Sequence, residues 1–166
     1  MPIGYISIGS NIDKEINIPS SLDTLRRTFG DLLTSSVYET EPVGFVGDSF
    51  YNLVVRFESA LSAKEVAKQL RQIELDHGRT RESQKFSART LDLDLILYGD
   101  QIISDGRLQI PRDEIERYAF VLEPLAEIAP NEKHPISGKT YSELWQQFDK
   151  SKIRTIKVDL NKTSGK

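Results

Sequence analysis

The strand and helix signals along this chain of 166 residues predict an α+β fold, a βαββαβ sandwich with extra helices and a short hairpin. Three observations lead there. Runs alternating in character at Tyr5–Ile8, Phe50–Glu58 and Leu91–Tyr98 have the two-residue period of strands. Between them, apolar residues recur at helical steps and stop near a glycine, Gly30 and Gly78. The composition, 38% hydrophobic and 28% charged, is that of an ordinary globular chain with one core, expected to form a single domain over residues 1–166.

Strand one, Tyr5-Ile6-Ser7-Ile8, runs into the turn-forming cluster Gly9-Ser10-Asn11. The first helix is expected after Pro19, where Leu22, Leu25 and Phe29 keep helical spacing and Gly30 stands as the C-terminal glycine. Leu33, Ser35 and Val37 alternate with their neighbours up to Thr40, predicting one continuous second strand that empties into a glycine-rich loop, Glu41 to Asp48. In the third strand Leu53, Val55 and Phe57 share one face, and Asn52, Val54, Arg56 and Glu58 the other. Ser62-Ala63-Lys64-Glu65 is a capping box, followed at helical steps by Val66, Leu70, Ile73 and His77. The fourth strand is expected to point Leu91, Leu93, Leu95 and Leu97 one way and Asp92, Asp94, Ile96 and Tyr98 the other. Gly99-Asp100 reads as a two-residue hairpin turn into Gln101-Ile102-Ile103. Pro111 opens a short helix near Asp113 to Tyr118, and a second capping box, Thr140-Tyr141-Ser142-Glu143, starts a helix carrying Leu144, Trp145 and Phe148. The tail from about residue 150 is expected to be partly extended, as an added edge strand, and then frayed. This order is that of a ferredoxin-like sandwich with two helices on one sheet face.

Composition also excludes chemistry. Without cysteine there is no disulfide framework, zinc finger, iron–sulfur cluster or thiol nucleophile. A net charge of −3 argues against a surface built for nucleic acid. No apolar stretch approaches the ~20 residues of a membrane helix. The N-terminus has no basic residue before Lys14 and no signal-peptide run, so the expected location is the cytoplasm.

The least ordinary feature is Leu91-Asp92-Leu93-Asp94-Leu95, which sets two carboxylates on one strand face. Burying such a pair is unfavourable, so either the face is solvated or a cation sits between them. Hard divalent ions such as magnesium are held by a couple of carboxylates together with substrate phosphates. Just before the pair, Arg79, Arg81, Lys85 and Arg89 crowd one loop, and guanidinium groups fork onto phosphate oxygens. Carboxylates beside such a loop suit phosphoryl transfer, in which positioning and charge neutralisation do most of the catalysis; a charge-laced surface is the other reading. Gly138-Lys139-Thr140 is not the end of a P-loop, because Lys133 stands at the first glycine's place and Pro135 interrupts. His77 and His134 lack metal-ligand spacing, and no G-x-S-x-G elbow is present.

Six ordered blocks carry a family resemblance: Tyr5-Ile6-Ser7-Ile8-Gly9-Ser10-Asn11, Tyr38-Glu39-Thr40-Glu41-Pro42, Phe50-Tyr51-Asn52, Ile73-Glu74 with Gly78-Arg79-x-Arg81, Arg89-Thr90-Leu91-Asp92-Leu93-Asp94, and Phe120-Val121-Leu122-Glu123-Pro124-Leu125. Through about Pro130 the chain resembles the 6-hydroxymethyl-7,8-dihydropterin pyrophosphokinases of folate biosynthesis. That resemblance implies a ferredoxin-like fold, in a monomer that acts on small molecules without nucleic acid or membrane. The implied reaction transfers the β,γ-pyrophosphoryl group of ATP to the 6-hydroxymethyl of a reduced pterin, releasing AMP. It further implies that Asp92 and Asp94 hold two magnesium ions, and that Arg79 and Arg89 act with them on the phosphates. Glu74, Arg81, Phe86, Leu95, Arg107 and Arg112 would serve the nucleotide. Phe50 and Phe120 would sandwich the pterin, Asn52 would read its edge, and Thr40, Pro42 and Val43 would close over it.

The departures from the family pattern are local. Where many members continue after the proline with a histidine and later an arginine, this chain has Arg112-Asp113 and Tyr118; Arg112 and Arg117 are the available compensations. The phosphate loop reads Lys85-Phe86-Ser87-Ala88-Arg89 in place of a tryptophan-glycine-proline run. Three readings follow: an active pyrophosphokinase, a divergent paralogue with low activity or a modified pterin, and a ferredoxin-like RNA-binding module. The last is disfavoured by the acidic balance and the lack of an aromatic-rich RNP strand.

Overall fold

The computed structural model describes residues 1–40, 48–78, 91–151 and 155–158. In chain order these form β1 (Ile3–Ser10), α1 (Lys14–Phe29), β2 (Leu33–Thr34), β3 (Val37–Thr40), β4 (Phe50–Glu58), α2 (Ala63–Asp76) and β5 (Asp92–Tyr98). There follow β6 (Ile103–Asp105), β7 (Leu108–Ile110), α3 (Glu114–Arg117), α4 (Ala119–Ile128), α5 (Tyr141–Gln147) and β8 (Thr155–Val158). The main sheet is antiparallel in the order β5-β1-β4-β3-β8, with β2 also on β4, while β6 and β7 form a separate two-stranded sheet.

Alternation sends each central strand into two cores. Ile6, Ile8, Leu53, Val55 and Phe57 join Ile18 and Leu25 of α1 and Val66, Leu70 and Ile73 of α2. Tyr5, Val54, Ile96 and Leu97 join Ile115, Val121, Leu122, Leu125 and Tyr141, so α3, α4 and α5 cover the opposite face. Both sheet faces are therefore buried, a layer beyond the two helices expected on one. That explains why β4 is buried at five consecutive residues, Tyr51 to Val55.

Five sequence expectations need correction. Helix α1 begins before Pro19, which lies inside it; the carbonyl of Asp13 accepts from the amides of Ile16 and Asn17, and Asn17 Nδ2 donates to the Ile12 carbonyl. Those bonds hold an opening turn that the proline alone argues against. The second strand is split at Ser35 and Ser36, where the Ser35 hydroxyl accepts from the Val54 amide at 2.9 Å and takes over a ladder position. In β5 the pairing passes from Tyr5 with Leu97 to Ile6 with Leu95, leaving Ile96 as an extra residue. Leu97 consequently joins Ile96 in the second core, and Tyr98 returns to the first. The hairpin is formed by β6 and β7 around Gly106-Arg107, with Gly106 at φ 60; Gly99 donates its amide to Ile3 instead of turning a hairpin off β5. Helix α4, absent from the expected elements, is apolar nearly all round and contains Pro124, so it lacks an amphipathic signature.

Both capping boxes, the short helix after Pro111 and the edge strand in the tail are present as expected. The fraying expected of the tail's end lies outside the described residues.

Candidate functional site

At one end of the sheet, four neighbouring strands bring four of the singled-out residues together. Gly9 pairs with Asn52 on one side and Asp92 on the other, and Thr40 pairs with Phe50. Asn52, 5% exposed, donates from Nδ2 to Thr40 Oγ1 at 2.8 Å, which fixes its amide orientation. A Cβ at position 9 would lie 2.9 Å from Asn52 Oδ1, so the missing side chain of Gly9 is what gives this amide its space.

Asp92 and Asp94 are half-buried on that same face, opposite Gly9 and Ser7. Burial pushes the Asp94 carboxyl up to about 7, the Asp92 charge adds to it, Arg112 opposes, and Glu74 and Glu114 contribute further in the raising direction. An anionic centre so crowded favours a cation. Arg112 reaches it because its backbone amide donates to the Ile96 carbonyl at 3.0 Å, on the outer edge of β5. Its guanidinium is steadied by Glu114, with Nη2 to Oε2 at 2.6 Å and Nε to Oε2 at 3.2 Å.

A cleft of about 750 Å³ runs along that outer edge, between α2 and the β6–β7 hairpin. Of the singled-out residues it gathers Glu74, Asp94, Leu95, Arg107 and Arg112. Glu74 is buried and accepts the Leu93 amide at 2.7 Å, so it also ties α2 to the edge strand. Lys64, Lys68 and Arg71 line the same cleft. Sequence reasoning passed over them, although their spacing of four and three residues marks one helix face.

Phe120 lies at the start of α4, half-buried against the second core, so it belongs to the layer covering the face of Asn52 and the aspartates. Arg117 is bound at 3.1 Å to Asp113 and lies over the Tyr118 ring. Of the two arginines available as compensation, Arg112 is therefore the one that lines the cleft. Pro42, Val43, Arg79, Arg81, Phe86 and Arg89 lie outside the described residues.

Comparison with known proteins identifies the family. The family model of 7,8-dihydro-6-hydroxymethylpterin-pyrophosphokinase (HPPK) matches residues 5–130. The chain is 37% identical to the 2-amino-4-hydroxy-6-hydroxymethyldihydropteridine pyrophosphokinase of Bacillus subtilis (strain 168), over 87% of this chain and 91% of that one. It is 35% identical to the Haemophilus influenzae enzyme of the same name, over 92% and 97% of the two chains. Among solved structures, the HPPK-DHPS of Plasmodium falciparum superposes with a TM-score of 0.71 at 13% identity, covering 88% of this chain and 44% of that one. The likeness is one of fold, and this chain spans less than half of that bifunctional chain. No helix among the described residues is long and apolar enough to cross a membrane. With the family model spanning most of its length and relatives alike over nearly all of theirs, the chain belongs to the 7,8-dihydro-6-hydroxymethylpterin-pyrophosphokinase family.

Proposed function

We propose that this chain transfers the β,γ-pyrophosphoryl group of ATP to the 6-hydroxymethyl of 6-hydroxymethyl-7,8-dihydropterin, releasing AMP. One observation carries the reading: the aspartate pair shares its end of the sheet with Asn52 and Phe50, and Asp94 also lines the edge cleft. On one side lie the amide of Asn52, held by Thr40, and the ring of Phe50, suited to a flat heterocycle that presents both donors and acceptors. On the other lies the edge cleft with Arg107, Arg112 and the basic face of α2, suited to a nucleotide and its phosphates.

In this reading the pterin is stacked by Phe50 and Phe120 and read by Asn52. Glu74, Leu95, Arg107 and Arg112 receive the nucleotide together with Arg79, Arg81, Phe86 and Arg89, while Thr40, Pro42 and Val43 close the pterin side. The hydroxymethyl oxygen attacks the β-phosphorus and releases its proton to water, the bond to the α,β-bridging oxygen breaks, and AMP leaves with that oxygen. Asp92 and Asp94 are the residues that would hold magnesium, and the upward push on the Asp94 carboxyl fits a pair built for a cation. Two such ions, when bound, would neutralise phosphate charge and clamp the entering and leaving oxygens. The strand order β5-β1-β4-β3, with α1 and α2 on one face, supports a ferredoxin-like arrangement of the core. The level of identity to named pyrophosphokinases favours an active enzyme over a divergent binding paralogue.

The test is AMP formation from ATP and magnesium by the purified protein, with and without 6-hydroxymethyl-7,8-dihydropterin. Pterin-dependent AMP with the diphosphorylated pterin is the expected result; tight pterin binding without AMP would overturn the catalytic reading.

A further inference from the structure

Tyr118 lies nearly flat against Phe120, with ring centroids 5.0 Å apart and planes 19° from parallel. It ends α3 and precedes α4 in an extended conformation, φ −125 and ψ 127, which places its ring beside the opening turn of α4. The Arg117 guanidinium carbon lies 5.3 Å from the Tyr118 ring centroid, and Arg117 Nη1 donates to Asp113 Oδ2 at 3.1 Å. Asp113, Arg117, Tyr118 and Phe120 are thus linked by three successive contacts: an ion pair, a cation over a ring, and a ring against a ring. Both rings are half-buried against the second core. A half-buried phenylalanine in a first helical turn keeps rotamer freedom unless something fixes its plane, and a parallel neighbour does so.

We propose that Tyr118 is a positioning residue for the pterin: it holds the Phe120 ring in the plane on which the heterocycle stacks. The inference rests on the pterin reading above. Losing a preorganising stack of this kind weakens a ligand roughly three- to tenfold.

The experiment compares wild type, Tyr118→Leu, Tyr118→Phe, Phe120→Leu and the Tyr118→Leu/Phe120→Leu double variant. It reads pterin Kd by quenching of pterin fluorescence, nucleotide Kd, and Tm. Tyr118→Leu is expected to weaken pterin three- to tenfold with nucleotide Kd unchanged and Tm lowered by no more than the loss of one ring contact gives, Tyr118→Phe to restore the affinity, and the second substitution to add nothing once Phe120 is leucine. Unchanged pterin affinity in Tyr118→Leu overturns the inference. Parallel loss of pterin affinity, nucleotide affinity and Tm overturns it too, by making the residue merely structural. A wild-type protein that binds no pterin brings down the proposed function itself, which the variants would not distinguish but the wild-type titration does.

Discussion

Asp94 shows how much one side chain can be asked to carry. It lies on the sheet face next to Asp92, borders the edge cleft, and faces Arg112, all from one strand position. The pair was legible in the sequence because a strand's two-residue period puts i and i+2 on one face whatever the fold around them. Glu74 was legible only through the family resemblance, and its structural task, capping the Leu93 amide on an edge strand, depends on an approach between α2 and β5 that no local pattern encodes. Replacing Asp94 by asparagine keeps the shape and removes one of two crowded like charges. Asp94→Asn is therefore expected to abolish AMP formation while leaving the ligand-free Tm equal to or above that of wild type. Retained turnover would remove the metal-holding role from this carboxylate.

Elements follow local rules where one force dominates and depart where tertiary contacts take over. The capping boxes of α2 and α5 formed as read, because Ser62 with Glu65 and Thr140 with Glu143 satisfy their own helix ends. The break between β2 and β3 was not readable, since its groups are satisfied from far along the chain. Glu127 of α4 accepts the Ser36 amide at 3.1 Å, the Ser36 hydroxyl at 2.7 Å and the Tyr38 hydroxyl at 2.7 Å. This carboxylate ties the buried helix to the strand, and its pKa is lowered although burial alone opposes that, because the Ser36 and Tyr38 hydrogen bonds prevail. Glu127→Ala leaves the buried Tyr38 hydroxyl without this acceptor and is expected to destabilise the protein by about 1–3 kcal/mol, read as a lower midpoint in urea unfolding. An unchanged midpoint would show that water replaces the carboxylate at no cost.

Across the whole molecule, a sheet buried on both faces must open somewhere to bind anything, and Asn52, Asp92, Asp94, Glu74 and Arg112 of the candidate site gather at one strand end and along the β5 edge. The loop that closes the second layer is held by His134, whose Nδ1 accepts the amides of Ile136 and Ser137 at 3.2 and 3.3 Å while Nε2 faces Glu116 at 3.4 Å. The edge of the Tyr141 ring packs beside it. Protonation would turn the accepting nitrogen into a donor, and burial holds the imidazole below its ordinary pKa, with Glu116 pulling the other way. The unfolded chain then takes up this proton first, so the histidine's contribution is present at pH 8 and is lost as pH falls below about 6.5. His134→Ala is expected to have a lower Tm than wild type at pH 8, with the gap narrowing by pH 5; a constant gap would exclude this histidine as the cause. The bulge in β5 has a separate consequence for insertions and deletions. Because Ile96 is the extra residue, deleting it would leave the pairing of Leu95 with Ile6 and of Leu97 with Tyr5 intact, and both aspartates in place. What would disappear is one buried side chain of the second core and, with it, the carbonyl that anchors the Arg112 backbone. A one-residue shortening there would spare the sheet and cut loose the arginine, so the length of β5 is set by the cleft it borders and not by the ladder it joins.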